Sequence, residues 1–404
     1  MKVAFAIIPE KGHINPYIGP AQALVEAGHE VVIAAPGDIG DQIARAGLVF
    51  RPDLIDHSGD GRVTRGAELV SLIQDAERLH LWIEQLLLGG VCFSLPSSSG
   101  QAKACPTDQL QAWYRRERAD VVVIDPLYYP AAIAAHLDRI PWASVSNSLN
   151  PVIPADLDSA LLRTVRELSP RRAELFRACG FDAAFSGCDV LSPYLTVAFA
   201  TEALVGKPPA GVTLVGPSLP LHARGDELAV RPLPVDRPIV YVSFGSQIYF
   251  WPEIFEKMIA AGRMLDAHLV LALGDLVDDP RWAASRPHCD VYRYAPQPEI
   301  LRRAAVFVTH GGANSVMEAI QAGVPMLISP MCNDQFHQAY FVERAGIGRV
   351  ENLVKAPVER IVDRLRELLT SPVVRSNMEA VSRTYQTNGA RTTAQLIAKL
   401  VDHD

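Results

Sequence analysis

The sequence Thr-His-Gly-Gly-Ala-Asn-Ser at residues 309–315 decides the fold of this chain. The apolar run at residues 306–308 predicts a short buried strand, and the apolar spacing across residues 315–321 predicts a helix. His310 and the two glycines after it then lie on the turn between strand and helix, with Asn314 or Ser315 as the expected N-cap. Such a turn offers backbone N–H groups and the positive end of a helix dipole. It therefore predicts an anion site, most simply for phosphate.

Further polar residues flank this turn in the sequence. Tyr-Ala-Pro-Gln precedes it at residues 294–297, Glu318 lies in the predicted helix, and Asp334-Gln335 follows the next predicted strand. Side chains at the carboxyl ends of neighbouring strands project from one sheet edge, where open α/β sheets bind ligands. Any strand–turn–helix unit can contain a small glycine turn, so His-Gly-Gly alone does not separate a phosphate site from a simple connection.

The whole string at residues 294–338 resembles the nucleotide-sugar signature of the UDP-glycosyltransferase superfamily, GT-B enzymes that glycosylate small lipophilic acceptors. The resemblance implies that Tyr294 stacks on the base, that Gln297 contacts the base edge and that Glu318 holds the ribose hydroxyls. It implies four residues around the diphosphate: His310, Gly312, Asn314 and Ser315. It also implies that Asp334 and Gln335 bind the sugar hydroxyls. A carboxylate accepts hydroxyl donors and an amide offers both a donor and an acceptor, which suits the last pair. Ala313 stands where plant members have a second tryptophan, so that packing contact is absent.

The N-terminal residues place a histidine at another strand end. Residues 3–8 predict a buried parallel strand, and His13 lies in the turn that follows it. Asp125 follows a second apolar run, at residues 121–124. If the two strands are neighbours, Asp125 can accept a hydrogen bond from the imidazole, fix its tautomer and stabilise the imidazolium. Gly-His-Ile-Asn-Pro resembles the catalytic motif of the same superfamily, which implies His13 as general base and Asp125 as its partner.

The βαβα rhythm runs twice along the 404 residues and predicts an α/β chain with parallel sheets. With the resemblance, it implies the GT-B fold, two Rossmann-like, doubly wound domains facing across a cleft. We expect an acceptor-binding domain at residues 1–206, a proline-rich linker at 207–238 and a nucleotide-sugar-binding domain at 239–404, whose last helix returns to the first domain. The first strand of the second domain ends in Phe-Gly-Ser, which resembles the family's first donor loop and implies Ser246 at the diphosphate.

Composition restricts the partners of the chain. Acidic residues outnumber basic ones, 45 to 38, and the net charge of −7 argues against general affinity for nucleic acid or an anionic membrane. No apolar run approaches the roughly 20 residues that span a bilayer, and none resembles a signal peptide, so we expect a cytoplasmic chain without a transmembrane segment. The six cysteines form no Cys-x-x-Cys pair, and the Asp-x-Asp strings at 156–158 and 402–404 lie away from the predicted donor strands. No metal site is expected.

Together with the resemblance, these features predict transfer of a hexose from a UDP-sugar, above all UDP-glucose, to a hydroxyl of a small lipophilic or phenolic acceptor, without a cofactor. The resemblance also implies inversion. The acceptor is inferred from the irregular segment at residues 53–105, which is rich in apolar side chains: Trp82, Ile83, Leu86, Leu87, Leu88, Phe93 and Leu95. Residues 147–150, at another predicted strand end, are a second candidate for the acceptor cleft. The apolar stripe could instead belong to the domain core.

Two rival functions remain open at this stage. One is a nucleotide-sugar epimerase of the same two-domain architecture, which needs no separate acceptor pocket. The other is a non-catalytic nucleotide-sugar-binding protein, which does not require both His13 and Asp125.

Overall fold

A computed structural model describes residues 1–52, 66–88, 106–283 and 288–401 of the chain. These residues form two six-stranded sheets in which neighbouring strands run parallel. Helices pack against the sheets, which confirms the prediction of two Rossmann-like, doubly wound domains. Within the described ranges, no helix is both long and apolar enough to cross a lipid bilayer.

The first domain is built on short apolar strands, most of them buried on both faces, as parallel strands between helix layers must be. Its strands are β1 (Lys2–Ala6), β2 (Glu30–Ala34), β3 (Val121–Ile124), β4 (Trp142–Ser146), β5 (Ala184–Ser186), β6 (Asp189–Leu191), β7 (Leu195–Ala198) and β8 (Val212–Leu214). The parallel sheet has the order β2-β1-β3-β4-β7-β8, while β5 and β6 form a separate antiparallel pair. Its helices are α1 (Lys11–Glu26), α2 (Gly40–Arg45), α3 (Ala67–Ile73), α4 (Ala76–Leu88), α5 (Pro106–Glu117), α6 (Tyr129–Leu137), α7 (Ala160–Ala178) and α8 (Glu202–Val205).

The second domain repeats this plan. Its strands are β9 (Ile239–Ser243), β10 (His268–Ala272), β11 (Cys289–Tyr292), β12 (Val306–Thr309), β13 (Met326–Ile328) and β14 (Gly348–Val350), in the order β11-β10-β9-β12-β13-β14. Its helices are α9 (Pro252–Met264), α10 (Pro280–Ala283), α11 (Gln297–Leu301), α12 (Ala313–Ala322), α13 (Gln335–Arg344), α14 (Val358–Thr370), α15 (Pro372–Thr384) and α16 (Gly389–Ala398).

The boundary between the domains differs from the expected one. Strand β8 pairs in parallel with β7 and completes the first sheet, although it lies within the range 207–238 that was predicted as linker. The first sheet therefore extends past residue 206, because proline-rich flanks hid a three-residue strand whose own sequence is apolar.

Helix α16 packs against α1 of the first domain. The approach is close enough to require a residue without a side chain at Gly19, where a Cβ would lie 2.2 Å from the backbone oxygen of Leu219 and 2.8 Å from Cβ of Ala390. The C-terminal helix thus joins the two ends of the chain in one interface.

The sheet register brings two loops of the first domain together. Strands β1 and β3 are neighbours, with Ala6 paired to Ile124, so the loops that follow them begin at the same edge. His13 follows β1 and Asp125 follows β3 directly. The parallel pairing therefore places both residues at the carboxyl end of the sheet.

Candidate active site

His13 and Asp125 form a close pair in the first domain. His13 lies in the first turn of α1, and its Nδ1 is 2.6 Å from Oδ2 of Asp125, a side chain with no exposed surface. The other oxygen of Asp125 accepts the backbone N–H of Leu127 at 3.1 Å, which fixes the carboxylate. The amide nitrogen of Asn147, just after β4, lies 2.7 Å from the same Nδ1. Within the described residues Nε2 of His13 makes no hydrogen bond, so this nitrogen is available to a substrate proton.

Charges around His13 favour its protonated form. Burial opposes a charged imidazolium, but the attraction and the hydrogen bond of Asp125 outweigh it, and Glu10 and Asp334 add to the effect. Together they raise the pKa of His13 to about 9. The ligand-free protein therefore holds His13 protonated at neutral pH, and its use as a base increases as the pH rises.

The turn after β12 has the geometry of an anion site. Gly311 has φ +86°, and a Cβ there would lie 2.7 Å from Cγ2 of Ile328. At Gly312 a Cβ would lie 2.6 Å from Nε2 of His310, so both positions need glycine. Helix α12 begins after Gly312, which is its N-cap. The expectation of Asn314 or Ser315 as N-cap was wrong, because the tight turn requires a glycine there and the helix starts earlier.

His310 is uncharged at neutral pH. Burial lowers its pKa to about 4, and a hydrogen bond to the backbone of Ser243 offsets only part of this lowering. Its ring packs against Gly245, where a Cβ would lie 2.9 Å from Cε1 of His310. A neutral imidazole adds no positive charge and has a single N–H, so it can donate a hydrogen bond to a diphosphate oxygen only when that N–H is released from the backbone of Ser243.

Ser246 lies in the loop after β9 and directly follows Gly245, the residue that packs against the His310 ring. The following residue, Gln247, donates from Nε2 to Oε2 of Glu10 in the first domain at 2.8 Å. The loop after β9 therefore contacts both the turn after β12, which contains His310, and the loop that leads to His13.

Two asparagines bring the domains together at the backbone oxygen of Gly12. Asn314 donates to it from the second domain at 3.1 Å, and Asn147 donates from the first domain at 3.3 Å. Asp334 is close enough to His13 to raise the pKa of the imidazole. The His13–Asp125 pair thus lies across the cleft from the residues predicted to bind diphosphate and sugar.

A connected polar cluster surrounds Glu318. Gln297 donates from Nε2 to Oε2 of Glu318 at 2.8 Å and to Oγ of Ser315 at 3.2 Å, while its own oxygen accepts from Tyr241 at 3.2 Å. The amide of Gln297 is therefore directed at Glu318. This differs from the base-edge contact that the resemblance implied, and Ser315 likewise contacts this cluster.

Cations approach the nucleoside end of the predicted site from the first-domain side. Nη1 of Arg224 donates to Oε1 of Glu318 at 2.7 Å, and Nζ of Lys11 lies 5.3 Å from the ring centroid of Tyr294. Sequence reasoning missed Arg224. It lies in the proline-rich stretch, where no periodicity marks a functional residue.

Gln335 is also used locally. Its Oε1 accepts the backbone N–H groups of Met331 and Cys332 at 2.8 and 3.1 Å, which closes the turn before α13. The acceptor group that was expected to face the sugar is therefore engaged by the protein. Burial raises the pKa of Asp334, the residue beside it, and the charge of His13 partly offsets this effect.

The apolar segment of the first domain divides into two parts. Leu87 is buried in the domain core with residues such as Trp113, and Ile83 and Leu88 belong to the same core. Trp82 is partly exposed and packs against a smaller cluster that crosses the cleft: Leu69, Leu72, Ile248 and Cys332. The assignment of Leu87 to an acceptor pocket is thus corrected, since its side chain fills the core. Phe93, Leu95 and most of segment 53–105 lie outside the described residues, as does the side chain of Leu86.

No group of three His, Cys, Asp or Glu side chains is arranged to hold a metal ion in the part of the chain that the structure describes.

Comparison with known proteins identifies the chain. Residues 232–390 match the family described as UDP-glucoronosyl and UDP-glucosyl transferase. NDP-glycosyltransferase YjiC of Bacillus subtilis (strain 168) is 24% identical over 385 residues, which span 93% of this chain and 89% of that protein. Oleandomycin glycosyltransferase of Streptomyces antibioticus is 26% identical over 419 residues, which span 98% of this chain and 90% of that protein.

Among solved structures, this chain is similar to the glycotransferase of kitacinnamycin, with a TM-score of 0.73 and 25% sequence identity. The match covers 99% of this chain and 98% of that structure. The match extends over both domains and confirms the GT-B fold. This chain is therefore a glycosyltransferase with the GT-B fold, and its residues 232–390 match the family of UDP-glucoronosyl and UDP-glucosyl transferases.

Proposed function

We propose that this enzyme transfers a hexose from a UDP-sugar, UDP-glucose above all, to a hydroxyl of a small lipophilic or phenolic acceptor, with inversion at the anomeric carbon. The observation that supports this most is the His13–Asp125 pair, 2.6 Å apart, across the cleft from Asn314 and Asp334. A general base and a sugar site must face each other for a single displacement. A passive binding protein would not require this pair. An epimerase would also place a base at the sugar, and it is distinguished by incubating the donor without an acceptor.

In the proposed reaction, Nε2 of His13 removes the proton of the acceptor hydroxyl while the acceptor oxygen attacks the anomeric carbon. The bond from that carbon to the diphosphate oxygen breaks, and its electron pair leaves with UDP. Attack from the side opposite the leaving group inverts the anomeric centre. Asp125 stabilises the imidazolium that forms, as the carboxylate of a catalytic triad does.

The departing diphosphate gains negative charge and needs donors. The N–H groups at the start of α12 and the neutral imidazole of His310 supply hydrogen bonds, and the helix dipole adds positive potential. Gly312 and Asn314 belong to this turn and the start of α12, and the loop that contains Ser246 reaches it through Gly245. These groups support departure of the diphosphate without a metal ion.

A ribonucleotide donor is supported by Glu318. A carboxylate that holds both ribose hydroxyls loses one partner when the 2′-hydroxyl is missing, which favours UDP over dTDP. Tyr294 offers a ring for stacking the base. The name of the relative YjiC specifies only a nucleoside diphosphate donor, so the base has to be tested directly.

A small apolar acceptor is supported by two observations. Trp82 is partly exposed and packs on a buried apolar cluster, around Leu69 and Ile248, that joins both domains. The oleandomycin and kitacinnamycin enzymes are each named for a small natural product.

The test is a donor and acceptor panel read by mass spectrometry. We expect a hexose mass increase on apolar alcohols or phenols with UDP-glucose, at an unchanged rate in excess EDTA. A donor incubated without acceptor should keep its configuration. Higher efficiency with dTDP-sugars, glycosylation of oligosaccharides only, or loss of activity in EDTA would contradict the corresponding part of the proposal.

A further inference from the structure

We propose that Arg224 is a positioning residue for the donor ribose. From the linker, it holds the Glu318 carboxylate in place and so makes ribose recognition depend on contact between the two domains. This inference rests on the proposed function, because it assumes that Glu318 binds the ribose.

The contacts of Glu318 leave room for a ribose. Arg224 donates to Oε1 at 2.7 Å and Gln297 donates to Oε2 at 2.8 Å. Each carboxylate oxygen has two lone pairs, so each keeps one for a ribose hydroxyl. The protein thus supplies the two contacts that orient the carboxylate, and the ligand can use the other two.

The Arg224–Glu318 pair is largely withdrawn from water. The side chains are 18% and 12% exposed, and Nε of Arg224 also donates to Oδ1 of Asp226 at 2.6 Å. Burial disfavours a charged guanidinium, but the attraction of Glu318 and Asp226 exceeds this effect and raises the pKa of Arg224. Removing one partner of such a pair leaves a poorly solvated charge, which costs much more than losing an exposed ion pair.

The backbone around Arg224 is fixed to the first domain. Oε1 of Gln22, on α1, accepts the N–H groups of Leu221 and His222 at 2.8 and 3.3 Å. Gly225 has φ +88°, and a Cβ there would lie 2.2 Å from the backbone oxygen of Gln42 on α2. Any larger residue would displace the linker from these helices.

Glu318 belongs to α12 of the second domain, so the ion pair crosses between the domains. Asp226 strengthens this link, because it lies 3.8 Å from Nζ of Lys11 on α1, and Lys11 approaches the ring of Tyr294. If the cleft opens, Arg224 moves with the first domain and Glu318 loses its cation. Ribose binding and domain contact are therefore coupled through one side chain.

The experiment measures binding of UDP and of 2′-deoxy-UDP by titration calorimetry. For Arg224→Met we expect UDP affinity to fall about tenfold or more, the usual effect of losing a hydrogen bond to a charged group. The affinity for 2′-deoxy-UDP should fall less, so the preference for the ribonucleotide should narrow. Arg224→Lys should keep part of the wild-type preference for the ribonucleotide. If the methionine variant does not fold, Arg224→Gln provides the same test.

A matched control is Arg237→Met. Arg237 is 17% exposed and pairs with two carboxylates, Asp266 at 2.9 Å and Asp236 at 3.0 Å, so it matches Arg224 in its own exposure and in the number of its partners, although these partners are exposed. Both affinities should remain at wild-type values in this variant. A fall equal to that of Arg224→Met would indicate a general structural effect and overturn the inference.

A double-mutant cycle with Glu318→Gln tests whether Arg224 acts through Glu318. In the Glu318→Gln background, Arg224→Met should cost less than about twofold in UDP affinity, because contacting residues that act together are not additive. Additive losses, or an unchanged UDP preference in Arg224→Met, would overturn the inference and leave the proposed function standing. Failure of the wild-type protein to bind UDP would overturn both.

Discussion

Asp125→Asn is predicted to lower turnover and to shift its pH dependence. The change keeps the shape of the side chain but removes the charge 2.6 Å from Nδ1 of His13. Despite opposing burial, the charges around His13 raise its pKa from 6.5 to about 9, a stabilisation of the imidazolium of about 3 kcal/mol, most of it from Asp125. Because imidazolium forms as the acceptor proton is removed, losing this energy lowers kcat on the order of 10²-fold.

The pH profile provides an independent readout. In the wild-type protein, kcat/KM should rise with pH until His13 loses its proton, with an apparent pKa of about 9. In Asp125→Asn, only the charges of Glu10 and Asp334 still oppose burial, so the rise should move well below pH 9 and the rate should change much less between pH 7 and 9. Steady-state transfer to a phenol from pH 6 to 10 measures both effects.

Folding stability should depend on pH in the wild-type protein and much less in the same variant. The pKa of His13 is higher in the folded protein than in the unfolded chain, so this group stabilises the fold fully below pH 6.5 and loses that contribution as the pH rises through about 9. The free energy of unfolding should therefore contain a decrease of up to about 3 kcal/mol over this range. Asp125→Asn should remove most of this decrease.

The matched control is Asp290→Asn, which breaks another His–Asp pair, His268–Asp290, 2.9 Å apart in the second domain. That variant should keep the wild-type pH profile, and both variants should keep wild-type affinity for UDP. A rise in kcat/KM that stays near pH 9 in Asp125→Asn, or turnover close to wild type, would refute the role of the pair.

Two further predictions follow from the packing. Gly312→Ala places a Cβ 2.6 Å from Nε2 of His310, so the turn between β12 and α12 must shift. UDP affinity, measured by calorimetry, should then fall about tenfold or more, and unchanged affinity would contradict the assignment of this turn to the diphosphate. Leu87→Ala should lower the free energy of unfolding by about 2–5 kcal/mol because Leu87 fills the core, whereas Trp82→Ala should mainly raise the acceptor KM with a smaller loss of stability. Denaturant unfolding and acceptor kinetics on both variants measure this difference, and equal stability losses without a KM change would place Trp82 in the core as well.

The sequence predicted the positions of His13 and Asp125 because parallel strands follow simple rules. Apolar runs identified β1 and β3, and the carboxyl ends of neighbouring parallel strands lie at one edge. Backbone topology alone therefore brought two residues together that are 112 positions apart. The same rule located the turn that contains His310 and Gly312.

Side-chain direction was harder to predict. Gln297 and Gln335 both lie near the expected strand ends, as the first residues of α11 and α13, but one amide binds Glu318 and the other closes its own turn. An amide can pair with many neighbours, so its partner depends on local geometry that a motif does not specify. Leu87 shows a related problem, because an apolar helical stripe fits a core and a ligand pocket equally well.

Arg224 was missed for a different reason. Prolines around it suggested a linker, and an irregular segment has no period from which a buried or functional side chain can be recognised. Only the folded chain shows that Gln22 fixes this segment on α1 and directs the guanidinium at Glu318.

The central claim, that His13 is the base of an inverting transfer, is tested most directly by comparing the wild-type protein with His13→Ala on UDP-α-glucose and a phenolic acceptor. The wild-type product should be the β-glucoside by NMR. His13→Ala should form it about 10² to 10⁴ times more slowly, with unchanged UDP affinity, because the base belongs to the first domain and the donor site to the second. Turnover of His13→Ala close to wild type, or an α-glucoside from the wild-type protein, would contradict the claim.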